Sequence, residues 1–314
     1  MNKQISNVIT QLRVISTIVI VVYHAACPYG GWEAFTATIS NNISSMNIIN
    51  LIFQKLLCND MLPMFFSLSG MLFYGKKDTY KDTLLVFWKK FDRLIVPAAL
   101  IFLFCSWFDI PFVGHAGPEG HLWFVYVLFI YFCWALIMNR INIHVLMSFA
   151  TAGYIVYTFS SRLEFDIHPF ITQLLRYQIY FTGGYYLVNY YDLLRKNYIR
   201  WPLMFIHLIS LLLDFQTGYY LLFNLVVIAF IPQREIKPII KSLNNNSFGI
   251  YLIHHVLTIS LFQINWIYHS YVNYPLLAII SMSIGVLAAS WFLSAILHRI
   301  KFNYLFYRFS TLIR

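Results

Sequence analysis

Long apolar runs alternate with short polar segments along almost the whole of this chain. Because lipid offers no hydrogen-bond partner to backbone N–H and C=O groups, each run is predicted to be a helix that pairs these groups internally. The seventh and eighth runs are short for a hydrocarbon core of about 30 Å and are expected to be tilted or broken. The ten runs are 8–27, 48–74, 94–109, 122–139, 144–160, 171–190, 201–214, 218–232, 247–263 and 275–297.

The fold class predicted by this pattern is an all-α polytopic membrane protein with about ten transmembrane helices. The composition agrees, because 60% of the 314 residues are hydrophobic and only 11% are charged, whereas soluble domains are about 25% charged. No connection between the runs is long enough for a folded soluble domain. Residues 1–314 are therefore predicted to form a single integral-membrane domain.

The basic residues set the predicted topology. The formal net charge of +10 alone could suggest nucleic-acid binding, but the lysines and arginines lie in short connections rather than in a basic domain. Most of them fall on the side that an even number of spans gives to both termini, so the positive-inside rule places both termini in the cytoplasm. The first run has no small-residue cleavage site and is expected to be a retained span. Nucleic acid is not an expected partner.

The cysteines suggest no special chemistry. They show no CxxC pair and no metal-ligand spacing, so neither a disulfide framework nor a metal site is predicted. Packing among apolar side chains is the expected role of Cys27, Cys58, Cys105 and Cys133.

Two ionisable residues, Arg13 and His24, lie in the otherwise apolar first run. At 100° per residue their spacing amounts to three turns plus about 20°, so both project from one helix face, about 16 Å apart along the axis. Taken singly, Arg13 is compatible with snorkelling to the interface and His24 with a packing role. A charge inside a span costs roughly 2.5–3.5 kcal/mol and usually faces a polar interior or a pathway. The pair therefore indicates a functional face, with Arg13 towards the cytoplasm and His24 in the outer half of the membrane.

Several stretches follow one another in an order that is typical of one protein family. The first is a basic residue, Arg13, followed after ten intervening residues by a histidine, His24. The ordered set extends from residue 10 to residue 297 and resembles the integral-membrane acyltransferase 3 family, although no single stretch is specific alone. The other stretches are LPMFFSLSGMLF (Leu62–Phe73), KKFDRLIVP (Lys89–Pro97), GHLWFVYVLFIYF (Gly120–Phe132) and NNSFGIYLIHHVL (Asn245–Leu257).

The resemblance implies acyl transfer across the bilayer, and a bacterial cytoplasmic (inner) membrane is the natural setting for it. Such enzymes take an acyl group, usually acetyl, from acyl-CoA in the cytoplasm and deliver it to a hydroxyl of a cell-surface glycan or its lipid-linked precursor. Acyl-CoA is then a co-substrate, with no bound cofactor and no metal. The sequence leaves open which acyl group is moved, which acceptor sugar and hydroxyl position receive it, and what the oligomeric state is. It also leaves open whether the transfer is direct or passes through an acyl-enzyme.

The phosphates of CoA require cations at the cytoplasmic mouth. Arg13, Lys90 and Arg93 are the expected ones, and topological anchoring is the alternative for Lys90 and Arg93. This chain departs here from the family's RxxR motif, because Lys90 keeps the charge but lacks the planar fork that binds phosphate bidentately. His254 is expected either to meet CoA or to hydrogen-bond across helices. His255 points about 100° away from His254 and is the weaker candidate.

His24 is the predicted catalytic residue. A neutral imidazole in a low-dielectric site suits a general base for the acceptor hydroxyl, and a covalent acyl-histidine is the alternative. Acceptor binding is expected on the outer side of the membrane. The ordinary alternatives for the candidate side chains are a position in a solvated loop, in the interfacial aromatic belt, or snorkelling to the interface. The candidates are Glu119, His121, Trp123 and Arg176.

Two other functional classes are compatible with a polytopic bundle. A glycan transporter or flippase would use Arg13 and His24 as the lining of a translocation path, and it would need no acyl-CoA. A membrane glycosyltransferase would need acidic residues near an outer loop, and the sequence shows no paired-acid motif there. Cations for phosphates, combined with a deeper histidine, favour the acyltransferase.

Overall fold

The computed structural model of the protein describes residues 2–26, 59–76, 82–107, 122–163, 167–213 and 216–299. All regular structure in these residues is helical, with no strand among them, so the predicted all-α class is confirmed. The helices are α1 (Lys3–Ala26), α2 (Asn59–Tyr74), α3 (Thr83–Trp107), α4 (Trp123–Ile137), α5 (Ile143–Arg162), α6 (Pro169–Asn189), α7 (Tyr191–Leu194), α8 (Asn197–Leu212), α9 (Gln216–Phe230), α10 (Pro238–Phe262), α11 (Asn265–Asn273) and α12 (Pro275–Arg299), with a 3₁₀ turn at Met138–Arg140.

Within the described residues, each apolar run coincides with one of these helices, and the differences lie mainly at the ends. Residues 48–58 of the second run lie outside the described residues. The helix α3 begins at Thr83 rather than near residue 94, so its basic first part continues into the apolar part through Pro97. The helix α10 likewise begins at Pro238, ahead of the run at 247. Counting apolar residues misses such segments because their polar side chains face a cavity or solvent while the backbone stays helical. The short helices α7 and α11 were not predicted.

Within the described residues, three helices are long and apolar enough to cross a membrane alone: Lys3–Ala26, Ile143–Ser160 and Leu276–Arg299. The number rises to four if α10 and α11, which are bent by 93°, form one broken span. The helices α8 and α9 contain only 16 and 15 residues, which is shorter than a core of about 30 Å requires. The ten-span count and the cytoplasmic termini stay predictions.

The helices α1 and α10 run parallel and form the axis of the candidate site. Near their N-terminal ends, the Gln11 side chain donates a hydrogen bond to the carbonyl of Arg234, which precedes α10, over 3.2 Å. Near their C-terminal ends, the His24 ring lies against the rings of His254 and His255. Successive positions on α1 therefore face successive positions on α10, and both helices begin at the same end of the bundle.

The last turn of α1, which carries His24, is held by α11. The hydroxyl of Tyr271 donates a hydrogen bond of 2.8 Å to the carbonyl of Ala25. This carbonyl is one of the four at a helix end that have no partner within the helix. Tyr271 is itself buried and packs edge-on against Phe262 of α10. The bend between α10 and α11 thus fixes the position of the histidine end of α1.

The helices α2 and α6 pack at backbone distance because two glycines lie between them. A Cβ on Gly70 would collide with the carbonyl of Phe181, and a Cβ on Gly184 would collide with the backbone of Gly70 and Met71. Small residues allow membrane helices to approach this closely. The contact fixes the register of α2 and therefore the position of Ser69, the neighbour of Gly70.

Candidate active site

Four basic side chains line one cavity of about 220 Å³. Arg13 comes from α1, Lys76 from the turn after α2, and Lys90 and Arg93 from the first part of α3. The three cations that the sequence assigned to phosphate binding are therefore brought together from separate parts of the chain, and Lys76 joins them. The remaining lining residues are Phe65, Ser69, Leu72, Leu94, Phe124, Leu128, Phe132, Asn245, Ser247, Phe248 and Tyr251.

Helical spacing explains which residues reach this cavity. On α2 the lining positions Phe65, Ser69 and Leu72 are four and three residues apart, which places them on one face. Lys76 continues the same spacing beyond the end of the helix. This spacing was the available signal for Lys76. The aromatic lining residues of α4 and Tyr251 of α10 had no such signal, because aromatic residues are abundant throughout the chain.

The charges of the cavity are not balanced by acidic residues of the lining, which contains none in the described part of the chain. Lys90 lies ahead of the apolar run that begins at residue 94. Burial, and then the neighbouring charges of Arg93, Arg13 and Lys76, lower the pKa of Lys90 to about 7. Its Nζ lies 3.7 Å from the centroid of the Phe132 ring, and this cation–π contact offsets part of the lost hydration. A bound anion would relieve the repulsion among these cations.

The size of the cavity limits what it encloses. Pockets that enclose a drug-sized ligand have volumes of roughly 300–1,000 Å³, and this cavity is smaller. A large anionic ligand would therefore place only part of itself here. Aromatic rings such as Phe124 and Phe248 offer an apolar surface beside the cations, and the side chains of Ser69 and Ser247 offer polar contacts. The lining suits a multiply charged group attached to a less polar arm.

A cluster of three histidines lies further along α1 and α10. The ring centroid of His24 is 4.6 Å from that of His255 and 5.1 Å from that of His254. His254 and His255 are fully buried, whereas His24 is half-buried. No three His, Cys, Asp or Glu side chains within the described ranges are arranged to hold a metal ion. Imidazoles exchange protons near neutral pH, so the cluster is suited to proton transfer.

His254 lies with His24 rather than with the cations. It is not among the residues that line the cavity, although Tyr251, one turn earlier on α10, does line it. The ring centroids of Tyr251 and His254 are 5.9 Å apart. His255 was ranked below His254 because of the 100° offset between them, yet it also contacts His24. The two side chains do point in different directions from α10, as the 100° offset requires. However, α1 lies between these two directions, and its position relative to α10 could not be known from the sequence.

Arg176 and Trp123, both expected near the acceptor, are connected through one tyrosine. The guanidinium of Arg176 lies 5.1 Å from the ring centroid of Tyr177, with the rings of Tyr157 and Tyr220 at 5.4 and 5.6 Å. The Trp123 ring lies 5.3 Å from the Tyr177 ring at 30°. These contacts form a partly buried aromatic surface around one positive charge. The other two acceptor candidates, Glu119 and His121, lie outside the described residues.

The comparison with family models agrees with this chemistry. A model described as an acyltransferase domain matches residues 7–295, nearly the whole chain. Searches of curated proteins and of solved structures found no match. The matched residues include those of the cation cavity and of the histidine cluster. The chain therefore belongs to the integral-membrane acyltransferase 3 family and is a multi-pass membrane acyltransferase.

Proposed function

We propose that this acyltransferase moves an acyl group from cytoplasmic acyl-CoA to a hydroxyl of a cell-surface glycan or its lipid-linked precursor. Acetyl is the expected group, and a bacterial cytoplasmic membrane is the expected setting. The observation that carries the proposal is that the cation cavity and the histidine cluster lie along the same two parallel helices. Arg13 and His24 are about 16 Å apart along α1, and the extended pantetheine arm of CoA separates its phosphates from its thioester in the same way.

The donor would bind with its phosphates among the cations. Arg13 and Arg93 present planar guanidinium groups that bind phosphate oxygens in pairs, whereas Lys90 and Lys76 contribute point charges. Since the cavity is small, the pantetheine arm would leave it along the aromatic residues of α4 and α10. Tyr251 lines the cavity and lies beside His254, so this path leads towards His24.

His24 would act as the general base. Its neutral imidazole takes the proton of the acceptor hydroxyl while the hydroxyl oxygen attacks the thioester carbonyl. The new C–O ester bond forms, the C–S bond breaks, and the proton passes from the imidazolium to the departing CoA thiolate. In the alternative route His24 attacks first and carries the acyl group. Labelled acyl-CoA without acceptor would label the protein at His24 only in this second route.

The acceptor would approach from the side of Trp123 and Arg176. An indole ring stacks on the apolar face of a sugar, and a guanidinium donates hydrogen bonds to hydroxyl or anionic groups. In this proposal the aromatic surface around Arg176 orients the glycan. Glu119 and His121 remain candidates for the same task.

The test of donor binding uses a matched pair of adjacent lysines. Lys90 lines the cavity, whereas Lys89 is exposed and does not. In purified protein in nanodiscs, Lys90→Ala is expected to weaken the binding of acetyl-CoA by about tenfold, the low end for a charge-assisted hydrogen bond. Lys89→Ala, which removes the same charge from the chain, is expected to leave binding unchanged.

Transfer is measured in the same preparation with radiolabelled acetyl-CoA and extracted cell-surface glycan. Release of CoA with label on the glycan supports the proposal. Equal loss of binding in both lysine variants would remove the cavity from donor binding. If the wild-type protein neither binds nor cleaves acetyl-CoA or other short acyl-CoAs, the transporter hypothesis takes precedence, with Arg13 and His24 as polar lining.

A further inference from the structure

Arg176 carries a permanent positive charge within the helix bundle. It lies about two turns, or about 10 Å along the axis, into α6. Within the described ranges, no hydrogen bond or ion pair reaches its guanidinium, and its neighbours are the rings of Tyr157, Tyr177 and Tyr220. The rings attract the cation, but they are poor substitutes for the oxygen acceptors that its N–H groups require. Since arginine stays protonated in proteins, titration cannot remove this charge.

The nitrogens of Arg176 are also accessible. The residue is only partly buried, and none of its nitrogens is among the buried side-chain atoms that lack a hydrogen-bond partner. Because they have no such partner in the described part of the chain, they must reach the surface of the bundle. Helical side chains lean towards the N-terminus of their helix, which is the outer end of α6 in the predicted topology. A ligand on the outer side can therefore approach these N–H groups.

Arg195 shows what an arginine with a structural role does in this protein. Its guanidinium donates a hydrogen bond of 2.7 Å to the carbonyl of Ile231 and one of 3.3 Å to the hydroxyl of Tyr191. These bonds join the turn after α7 to the end of α9. Arg176 makes no comparable bond to any described residue. Its N–H groups are therefore available to a ligand, whereas those of Arg195 hold the fold.

Membrane anchoring does not account for the charge of Arg176. Anchoring cations are in excess in cytoplasmic loops, and Arg176 falls on the opposite side in the predicted topology. Ionisable groups at membrane depth usually pair with a group of opposite charge or line a substrate pathway. A carboxylate or a phosphate fits the planar guanidinium with two parallel hydrogen bonds. An oxyanion is thus the ligand that this side chain is suited to bind.

The backbone that carries Arg176 is held in place by α4. The hydroxyl of Tyr131 donates hydrogen bonds to the carbonyls of Gln173 and Leu174, over 3.2 and 2.7 Å. Tyr131 is itself buried. The register between α4 and α6 is therefore fixed just before Arg176, and a site that is ordered in advance loses less freedom when a ligand binds.

The surface around the arginine lies beside the helix that carries the histidine pair. The ring centroid of Tyr177 is 5.3 Å from that of Trp123, and the next residue, Phe124, is 5.3 Å from Tyr251 of α10. Tyr251 lies about one turn ahead of the histidine pair. Contacts between described residues therefore connect this surface to the part of α10 near the proposed reaction site.

We propose that Arg176 and the rings of Tyr157, Tyr177 and Tyr220 form a subsite for an oxyanion of the acceptor. The oxyanion is the carboxylate of an acidic sugar or a phosphate of the glycan or its lipid carrier. The guanidinium donates hydrogen bonds to it, and the rings exclude water from one side of the pair. The acceptor is then an anionic glycan, oriented by its charged group. The identity of the ligand as the acceptor rests on the proposed function, whereas the binding of an oxyanion does not.

The first test locates the oxyanion without any turnover. Phenylglyoxal modifies accessible guanidinium groups, and mass spectrometry of protein in phosphatidylcholine nanodiscs gives the rate at each arginine. Saturating trigalacturonate is expected to slow the modification of Arg176 by about tenfold, the low end for charge-assisted hydrogen bonds. Its carboxyl-reduced form, galactotriose, is expected to give no protection. Galactose 1-phosphate tests a phosphate in the same way, and the exposed Arg140 is the internal control.

Variants test the charge and the planar group separately. Arg176→Gln is expected to weaken the binding of trigalacturonate by about tenfold, because the carboxylate loses its charge-assisted bonds, and to leave the binding of galactotriose unchanged. Arg176→Lys keeps the charge but not the planar fork, so its affinity is expected to lie between the two. Arg140→Gln, which removes the same charge from the chain, is the matched control and is expected to bind like the wild type.

The second test measures acyl transfer to extracted cell-surface glycan. Arg176→Gln is expected to raise KM for the glycan by about tenfold, with little change in KM for acetyl-CoA. Reduction of the carboxylates or removal of the phosphates of the glycan identifies the source of the oxyanion. The treatment that removes the contacted group should raise the wild-type KM and abolish the difference between wild type and variant. A purely structural role of Arg176 would instead affect native and treated glycan alike.

The outcomes separate this inference from the proposed function. If neither charged saccharide protects Arg176 more than galactotriose does, the inference is overturned even where transfer is observed. A phospholipid that native mass spectrometry finds on the wild type but not on Arg176→Gln, without any preference for charged saccharides, would assign Arg176 to a lipid headgroup and overturn it as well. Protection in a protein that performs no transfer supports the oxyanion subsite and overturns the proposed reaction. If Arg176→Gln does not fold, the protection of wild-type Arg176 decides the matter.

Discussion

The two ends of the α1–α10 pair lie beside different kinds of polar group. At the Arg13 end, four cations line a cavity whose described lining contains no acidic residue. At the His24 end, three imidazoles contact one another, and two of them are fully buried. Cations can keep their charge in such a place only if water or an anion reaches them, whereas imidazoles can become neutral and pack together.

This difference explains how one pair of helices can serve two steps. The cation end is incomplete without an anion, so it is suited to binding. The rings of the histidine end pack against one another within the protein, so this end can be held in a fixed geometry before a substrate arrives. Parallel helices keep the two ends at a constant separation. Variants that change one end and leave the other intact test this division.

The largest effect is expected from His24→Ala. Removal of a general base typically costs about 10²–10⁴-fold in rate, so transfer of label from acetyl-CoA to glycan should fall by that factor. The binding of acetyl-CoA should stay within about twofold of wild type, since the cation cavity is untouched. Transfer is measured with radiolabelled acetyl-CoA and binding by equilibrium titration. Equal losses of binding and transfer would show that the two ends are not separable.

An intermediate effect is expected from Gly70→Ala, which acts on the cation end through packing. The added Cβ collides with the carbonyl of Phe181, and overpacking of this kind typically costs about 1–3 kcal/mol. Thermal unfolding in nanodiscs should shift to lower temperature, with weaker acetyl-CoA binding because Ser69 moves with α2. Gly183→Ala is the matched control, since nothing lies within 4 Å of its added Cβ. A variant of Gly70 as stable as that of Gly183 would contradict the close approach of α2 and α6.

The smallest effect concerns the protonation of Lys90. Because the pKa of Lys90 is lowered to about 7, the free protein carries this charge at pH 6 and loses most of it by pH 8. The affinity for acetyl-CoA is therefore expected to fall with rising pH, by at most about tenfold over this range. Lys90→Arg keeps its charge and should remove the fall. The phosphates of CoA gain negative charge over the same range and act in the opposite direction, so the arginine variant also corrects for them. Identical pH profiles would show that Lys90 does not titrate there.

Several features of the candidate site were predictable because they depend on local geometry. The spacing of Arg13 and His24 fixes a common helix face wherever the helix lies, and the structure has α1 helical from Lys3 to Ala26. The ordered motifs predicted the family, which the family match confirms. The gathering of Arg13, Lys90 and Arg93 was expected from the chemistry of phosphates, and the structure places all three in one cavity.

Other features depended on how the helices pack and had no local signal. The sequence ranked His254 over His255 by direction alone, yet both contact His24 because α1 lies between them. Lys76 joins the cavity because the contact between Gly70 and the backbone of α6 sets the register of α2. The tyrosines around Arg176 come from α5, α6 and α9, and such groupings cannot be recognised in a chain with 23 tyrosines.

The sequence by itself determined the helical class, the apolar runs and the polar face of α1, because backbone satisfaction in lipid and helical periodicity act within each segment. Only the tertiary structure decided which groups meet. The distance of His254 from His24 and the four-cation cavity both depend on the register between helices. That register is fixed by close contacts between residues that are distant in the sequence, such as Gly70 with Phe181 and Tyr271 with Ala25.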